Sequence, residues 1–425
     1  MPDKRWWRRG LMAGVEIILV LVLLTVTAVA AGMTWTNPPK TISVDSPGKV
    51  RGVDLALAGD GTLYAVWSEE SIGDNVNVYP ASASFSNGGW TWSTTEPEVE
   101  KGQRGVPSLA VDSSNRLHVV YLNSDGSKVR YSQGTKNGTT WSWTPVRDID
   151  PPAGFSTAEG AAGAPVIQVT GSRVHVVWFN KDGEGINQIV HAFSTDSGAN
   201  WQTAEVVYQS DKHSSYPDLV IDQEGKLHVV WEWNSALYAR IYHVVGTVGD
   251  SSVSWPTTSN DVSQSTNCHR PSIAIAGGQL YVAWGQTVGS KTDQNVYYST
   301  KSAGGGTWPT PKLLPNSNVG VGNISPTYVA PRIAATSAGR VIIVWNGRLT
   351  EGGAEDIHFT ETTNIADDNA WTERANISSS SSISYGPAVV LADNGVVHVM
   401  WIDDRKAFYS HSQYQVFLPL TLKNW

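Results

Sequence analysis

Cysteine is nearly absent from this chain of 425 residues, which contains only Cys268. One cysteine cannot form a disulfide within the chain, and no group of Cys and His has the spacing of zinc ligands. A fold held by disulfides or structural zinc is therefore excluded. We expect neither a metal nor a cofactor.

Charged residues are also scarce, at 16% of the chain, and the net charge is −8. No cluster of Lys and Arg occurs after the first nine residues. Proteins that bind nucleic acid neutralise phosphates with clustered basic side chains. The composition therefore predicts no nucleic-acid partner.

A helical hydrophobic period is missing from every segment after residue 33. In its place the chain has 40 Gly, 19 Trp and 15 Tyr. Abundant aromatic residues and turn formers, with few charges, are typical of all-β proteins. We therefore expect an all-β fold.

Residues 1–33 have the pattern of a targeting segment. Four basic residues come first: Lys4, Arg5, Arg8 and Arg9. The apolar run 17–31 follows, and Ala28-Val29-Ala30 offers a cleavage site of the A-x-A type. We expect a cleaved signal peptide; the alternative is an uncleaved membrane anchor, because residues 11–33 are long enough to span a bilayer. Either one predicts a protein that is exported, extracellular or on the outer face of the cytoplasmic membrane, with no other membrane contact.

One unit of about 55 residues is repeated along the rest of the chain. A strand of the type L-H-V-V-W ends at Trp67, Tyr121, Trp178, Trp231, Trp284, Trp345 and Trp401. An apolar strand that usually opens with proline comes before it, a third strand comes after it, and tryptophan opens a fourth. Seven copies of four antiparallel strands predict a seven-bladed β-propeller.

The seventh copy lacks a fourth strand of its own. It ends near residue 412, whereas residues 34–44, which include Trp35, resemble a fourth strand. We expect this N-terminal strand to complete the last blade and close the ring, so that residues 34–412 form one domain. Residues 413–425 fit no repeat, and we expect a tail that docks as an extra strand or acts in surface retention.

The stretch 194–201 has the spacing S-x-D-x-G-x-x-W, with Ser194, Asp196, Gly198 and Trp201. Together with the repeated strands, it resembles the sialidase superfamily, also called the BNR or Asp-box repeat proteins. The resemblance implies that the box lies on a hairpin between third and fourth strands, on the face opposite the functional face. We expect these residues to be structural: the aspartate accepts turn amides, glycine takes a positive φ and tryptophan seals the turn.

Two recurrent side chains are predicted to pack between blades. The histidines in the second strands are expected to be buried and hydrogen-bonded rather than metal ligands, namely His118, His175, His228 and His398. The repeated tryptophans are expected to form the core between blades. Trp233 is a better candidate for an exposed platform for a sugar.

The resemblance also suggests candidate site residues on the opposite face. Sialidases hold a substrate carboxylate with three arginines and use a tyrosine nucleophile with a glutamate, and an aspartate as acid/base. The substrate-binding candidates are Arg51, Arg104, Arg270, Arg348 and Arg405. The catalytic candidates are Tyr385, Glu69, Glu232 and Asp403.

The chain departs from true sialidases in two ways. It has no F-R-I-P motif; the partial match beginning at Pro331 lies within a strand, so that Arg332 has a structural interpretation. Sialidases have six blades, and a seventh blade moves every loop relative to the axis.

Three functions therefore remain open. The first is an exported monomer that binds glycans or a surface protein on its axial face. The second is an exo-acting glycoside hydrolase of sialidase type, and the third is an extracytoplasmic scaffold or assembly factor.

Overall fold

The computed structural model describes residues 33–413 except for 38, 44–47, 71–75, 87–88, 94–97, 139, 236–237, 289–292, 318–328 and 349–353. For residues 102–104 and 293 it describes the backbone alone. The predicted targeting segment and most of the predicted tail lie outside these residues. Within them, no helix is long and apolar enough to cross a membrane. Trp35–Gln413 form one compact unit.

Seven antiparallel blades follow one another along this unit, and the start of Glu100–Val111 also pairs with Val76–Ser86, which joins blades 1 and 2 in one sheet. Blade 1 has Lys49–Leu57, Leu63–Glu70, Val76–Ser86 and Gly89–Trp92. Blade 2 has Glu100–Val111, Leu117–Leu122, Val129–Asn137, and Thr140–Trp143 with Arg147–Ile149. Blade 3 has Ala162–Thr170, Arg173–Lys181, Asn187–Ser194 and Glu205–Tyr208. Blade 4 has His213–Ile221, Leu227–Asn234, Ala239–Val248, and Val253–Ser254 with Asn260–Asp261.

The remaining blades repeat the same order. Blade 5 has Cys268–Ala276, Gln279–Val288, Asp293–Ser302 and Lys312–Leu313. Blade 6 has Arg332–Ala335, Val341–Arg348, Glu355–Thr362 and Ala375–Asn376, with a short 3₁₀ helix at Asp368–Ala370. Blade 7 has Ser384–Leu391, Val397–Asp403 and Lys406–Gln413, completed by Thr34–Trp35 and Lys40–Thr41. The prediction of a seven-bladed β-propeller is confirmed.

The N-terminal strand closes the ring as predicted. Lys40 lies opposite Tyr409, and Thr41 lies opposite Phe408, in an antiparallel ladder. The backbone N–H of Thr36 also donates to the carbonyl oxygen of His411 at 3.1 Å. The pairing covers Lys406–Gln413 on both sides and makes the N-terminal strands the outer edge of blade 7.

A tryptophan from the outer part of each blade packs edge-on against a ring in the preceding blade. Six of the seven partner rings belong to third strands. Each of these six lies opposite a second-strand residue, the one that comes just before the repeated aromatic residue. The pairs are Trp92–Tyr409, Trp141–Tyr64, Trp201–Tyr131, Trp255–His191, Trp308–His243, Trp371–Tyr298 and Trp35–Phe359. Their ring centroids are 4.9 to 5.8 Å apart, with interplanar angles of 63° to 85°.

Blade 1 shows how this contact survives a change of sequence. Its third strand has Pro80 opposite Val66, at the position where other blades have the partner ring. Tyr64 of the second strand takes over and meets Trp141 of blade 2. The edge-to-face contact is thus kept although its partner moves to another strand.

The histidines of the second strands are buried and hydrogen-bonded, as predicted. His118 and His398 are bonded to the hydroxyl groups of Tyr131 and Tyr409 at 2.8 and 2.7 Å. His175 and His228 are instead bonded to third-strand histidines, His191 and His243. Burial lowers the pKa of His175 and of His398 to about 3, so these rings are neutral in the folded protein.

The Asp-box turn of blade 3 is closed by its own side chains. Asp196 accepts hydrogen bonds from the backbone and side-chain nitrogens of Asn200 at 2.8 and 2.7 Å. These bonds hold the pKa of the Asp196 carboxyl down at about 2. Gly198 has φ of 86°, and a side chain there would collide with Tyr131 of blade 2. The turn therefore fastens blade 3 to blade 2.

Replacing one of the inter-blade tryptophans is expected to destabilise the whole ring. Trp371 is buried, and its indole N–H donates to the Tyr298 hydroxyl at 3.2 Å. We expect Trp371→Leu to lower the free energy of unfolding by about 3 kcal/mol. Tyr238→Leu, at a half-exposed ring, is the control and should change it by less than about 0.5 kcal/mol. Equal effects of the two changes in urea unfolding would contradict the assigned role of the tryptophan.

The buried histidines predict a loss of stability in acid. Since the folded-state pKa of His398 lies far below the value of about 6.5 in the unfolded chain, its stabilising effect is complete above that pH and is lost as the pH falls toward 3. Between pH 7 and pH 5 this residue alone should cost about 2 kcal/mol. His398→Gln should show a correspondingly smaller drop in urea unfolding over that range. An unchanged drop in His398→Gln would refute the assignment.

Candidate binding surface at the propeller axis

The order of the strands separates two faces of the propeller. The turns between first and second strands share one end with the Asp-box hairpin, where the Ser197 backbone N–H donates to the Ser172 carbonyl at 2.8 Å. The loops between second and third strands, and the connections between blades, lie at the other end because the strands are antiparallel. The candidate site residues belong to this second end, which we call the axial face.

The first strands enter the axial face through a β-bulge. The ladder between first and second strands shifts register just before the repeated proline. The residue before that proline has a positive φ in blades 3, 4, 5 and 7, namely Ala164, Tyr216, Arg270 and Gly386. Ala and Gly are small, whereas Tyr216 (52°) and Arg270 (54°) hold large side chains in a backbone conformation that such residues rarely adopt.

These two unusual residues stack on each other. The guanidinium carbon of Arg270 lies 3.8 Å from the centroid of the Tyr216 ring, which joins blades 4 and 5 by a cation–π contact. The Tyr216 ring in turn meets Phe179 of blade 3 edge-on. Among the residues that the structure describes, the Arg270 guanidinium has no carboxylate partner, and its Nε–H is unpaired.

Glu232 fixes the backbone beneath this stack. The residue after the repeated aromatic residue contacts the next blade, as Ser68 does by donating to the Gly105 carbonyl at 2.6 Å. In blade 4 this position is Glu232, which is buried and accepts from the Arg270 backbone N–H at 3.2 Å. Its other oxygen is bonded to His269 Nδ1 at 3.2 Å. Glu232, predicted as a catalytic candidate, is thus hydrogen-bonded to the first strand of blade 5, at the Arg270 backbone and the His269 side chain.

A second polar group lies between blades 7 and 1. Arg51 is exposed and forms an ion pair with Glu70. Its charge acts on Tyr385, whose pKa is nonetheless raised because burial dominates. Arg51 and Tyr385 occupy equivalent positions, two residues before the position of the repeated proline. The structure therefore brings these two predicted site residues together.

Glu69 and Asp403 share another position, two residues after the repeated aromatic residue. Glu69 accepts from the Trp67 indole N–H at 3.2 Å, and Gln286 at the same position accepts from Trp284 at 3.4 Å. Asp403 is buried and accepts from the Ser384 hydroxyl at 3.1 Å. These bonds hold the ends of the strands, and the predicted catalytic role of either residue stays a prediction.

The other arginines come from separate blades. Arg405 of blade 7 is exposed, with φ of 70°, and its carbonyl accepts from the Val50 backbone N–H at 2.8 Å. Arg348 of blade 6 lies opposite Glu355 in the ladder. Arg104 of blade 2 is described by its backbone alone. A clamp of three arginines therefore stays a prediction.

Sequence reasoning missed Tyr216, Asp54 and Asp218. The two aspartates lie in the first strands of blades 1 and 4, at the same position as Arg332 of blade 6, which was already interpreted as structural. Charge in an otherwise apolar strand that packs between neighbours was a usable signal. A positive φ at Tyr216 leaves no comparable trace in the sequence.

Cys268 is not a nucleophile in this arrangement. It is fully buried at the start of the first strand of blade 5, and its thiol lies 3.5 Å from the Thr266 carbonyl. Burial raises the pKa of this thiol to about 12, so that the thiolate is not formed at neutral pH. Nδ1 of the neighbouring His269 is bonded to Glu232 rather than to the Cys268 thiol.

The comparisons with known proteins agree with this architecture. The family model of the BNR repeat-like domain matches residues 6–229, just over half of the chain. The chain belongs to this family, and its fold is that of the sialidase-like propellers. No curated protein matches the sequence.

Several solved structures resemble the propeller. A Dyadobacter fermentans protein of unknown function has a TM-score of 0.52 at 12% identity, covering 76% of this chain and 97% of its own. A variant of the NanB sialidase of Streptococcus pneumoniae has 0.49 at 11%, covering 89% and 71%. A Penicillium chrysogenum α-L-arabinanase has 0.49 at 13%, covering 91% and 100%. At such identities the likeness concerns the fold alone.

The burial of Cys268 predicts an inert thiol. We expect no reaction of the folded protein with a thiol reagent at pH 7.5 under conditions that label a free cysteine within minutes. One thiol per chain should react in denaturant, and Cys268→Ser should show none in either state. Rapid labelling of one thiol in the folded wild type would contradict this account.

Proposed function

We propose that this propeller binds glycans on its axial face, and that the bound sugar carries a carboxylate. One observation supports this most: the Arg270 guanidinium is stacked on Tyr216 without an acidic partner among the described residues. A guanidinium held in one plane presents paired donors that match a carboxylate. An arginine already held in place loses less side-chain entropy when it binds.

The backbone of the two residues supports the same proposal. Positive φ values at a non-glycine residue cost about 1 kcal/mol or more each and are often kept where a site needs them. Tyr216 and Arg270 are the two large residues among the four pre-proline positions with positive φ. Glu232 holds the backbone of Arg270, and within the described part of the chain it makes no hydrogen bond to the guanidinium.

Binding without cleavage fits the groups near Tyr385 better than hydrolysis does. A tyrosine nucleophile needs a lowered pKa or a nearby base, whereas burial raises the pKa of Tyr385. Among the described residues its hydroxyl has no hydrogen bond, and Glu69 is bonded to Trp67. We therefore propose an exported, monomeric glycan-binding protein, with the glycan free or on a surface protein.

The proposal predicts that acidic sugars bind through Arg270. Calorimetric titration with sialic acid, galacturonate and neutral galactose should show binding of at least one acid and weaker binding of the neutral sugar. Arg270→Gln should weaken acid binding by roughly 10- to 100-fold, because a hydrogen bond between charged groups is lost. The control Arg173→Gln lies on the opposite face, where Arg173 donates to the Gly249 carbonyl, and should leave affinity unchanged.

Two results would contradict the proposal. One is equal affinity of the wild type and Arg270→Gln for every acidic glycan bound, with both proteins equally stable. The other is release of sugar from a fluorogenic sialoside by the wild type, which would establish the hydrolase alternative.

A further inference from the structure

One inter-blade tryptophan donates its indole N–H to a histidine of the preceding blade. Three indole N–H groups of this set are hydrogen-bonded within the described residues: Trp255 to Glu205 at 3.0 Å, Trp308 to His243 at 3.4 Å, and Trp371 to the Tyr298 hydroxyl at 3.2 Å. Oxygen acceptors still accept near neutral pH, whereas a ring nitrogen stops accepting once it binds a proton. The bond of Trp308, in the seam between blades 4 and 5, therefore depends on pH.

The bond from Trp308 fixes the positions of the protons in a chain of buried groups. Because an indole nitrogen can only donate, Nδ1 of His243 carries no proton, and the proton of this ring is on Nε2. That Nε2–H donates to Nδ1 of His228 at 3.2 Å, and the Nε2–H of His228 donates to Oδ2 of Asp222 at 3.1 Å. All three bonds therefore run in one direction, from Trp308 to Asp222, and both rings are neutral.

This chain has no ring nitrogen that can take up a proton without the loss of a bond. A proton on Nδ1 of His243 faces the indole N–H of Trp308, so the bond between the blades is lost. A proton on Nδ1 of His228 faces the Nε2–H of His243, and moving the latter proton to Nδ1 returns the conflict to Trp308. The carboxyl of Asp222 does not take the proton: burial acts to raise its pKa, but hydrogen bonds from Lys226 and His228 hold the pKa below its ordinary value.

The corresponding pair of histidines in blade 3 has the opposite arrangement. The Nδ1–H of His191 donates to Glu205 at 3.1 Å, so its Nε2 is bare and accepts from the Nδ1–H of His175 at 3.1 Å. Trp255 of blade 4 donates to Glu205 and not to a ring nitrogen. Within the described residues Nε2 of His175 makes no hydrogen bond. A proton taken up there breaks no hydrogen bond between blades 3 and 4.

Burial keeps the two histidines of blade 4 neutral in the folded protein. It lowers the pKa of His228, and it lowers the pKa of His243 well below the ordinary value. A histidine whose pKa is lowered by folding stabilises the fold above the unfolded-state value of about 6.5, and this contribution is lost as the pH falls. Asp222 favours the charged form of His228, whereas the lysines oppose it. The charged groups that face the pair are Asp222, Lys226 and, from blade 5, Lys301.

We propose that the seam between blades 4 and 5 is the part of the ring that opens first in acid, because the bond from Trp308 to His243 needs a ring nitrogen without a proton. The seam is thus a pH-sensitive joint in the propeller. Tyr216 and Arg270 stack across the same seam, so its opening moves these two residues apart. The joint works in this way whether or not the axial face binds a glycan.

Cys268 provides a probe of this seam. It is buried in a cluster with Val230 and Ile241 of blade 4 and with Trp308 of blade 5. A dipyridyl disulfide labels thiols in acid as well as at neutral pH. The labelling rate of the folded protein, divided by that of the denatured protein at the same pH, gives the fraction of molecules in which the seam is open. Urea unfolding followed by circular dichroism gives the fraction that is globally unfolded.

The repeat itself supplies the substitution for the test. The third strands of blades 2, 5 and 7 have tyrosine at the position of His243, and Tyr298 accepts from its inter-blade tryptophan through its hydroxyl. His243→Tyr therefore keeps an aromatic ring and an acceptor that stays available between pH 7 and pH 5. The matched control His191→Tyr makes the same change in the seam between blades 3 and 4.

The three proteins should differ in how labelling changes from pH 7 to pH 5. In the wild type the normalised labelling rate of Cys268 should rise roughly tenfold or more and exceed the rate that global unfolding accounts for. His191→Tyr should show the same rise. His243→Tyr should show a rise of less than about threefold, because its acceptor does not titrate in this range.

Each outcome decides the proposal. An equal rise in all three proteins that matches global unfolding would show that the ring opens as a whole and would overturn it, as would a rise suppressed in His191→Tyr alone. If His243→Tyr does not fold, nitrogen NMR of the wild-type imidazoles decides together with the wild-type labelling. Protons on Nε2 of His228 and His243, with labelling in excess of global unfolding, support the proposal; protons on Nδ1 of these rings, or labelling that follows global unfolding, refute it.

Discussion

The fold depends on the edge-on contact between a tryptophan of each blade and a ring of the blade before it. Seven such contacts run around the propeller, and the last uses Trp35 against Phe359, at the N-terminal end of the domain. Sheets in a propeller contact only their neighbours, so each interface needs its own buried area and its own geometric register. A T-shaped aromatic pair supplies both, since it buries a large side chain and favours one relative orientation of the rings.

The axial face is formed by the parts of the first strands that this outer packing does not constrain. With blade positions set by tryptophan and by buried neutral histidine, the first strands can bulge and place their pre-proline residues at the axis. In most blades these residues are small. In blades 4 and 5 they are Tyr216 and Arg270, and Glu232 and His269 hold them from below. Departure from the repeat, rather than the repeat itself, defines the proposed binding surface.

The repeat made much of the fold predictable. Spacing alone located the blades, and Trp35 revealed the closing strand because its sequence matches a fourth strand that the last blade lacks. The burial of the histidines followed from their position between blades. The sequence identified Arg270 and Glu232 as charged loop residues. It did not show that they are in contact, because that contact joins two blades and depends on a β-bulge. Tyr216 escaped notice since no sequence feature marks its positive φ, and Asp54 and Asp218 looked like ordinary strand residues.

A crystal structure of the protein soaked with the acidic sugar that binds it most tightly would test the central claim most directly. The account predicts a sugar on the axial face, with its carboxylate on the Arg270 guanidinium and the Tyr216 ring still stacked behind it. A sugar bound to the outer strands or to the Asp-box face, with the Arg270 guanidinium empty, would contradict the account.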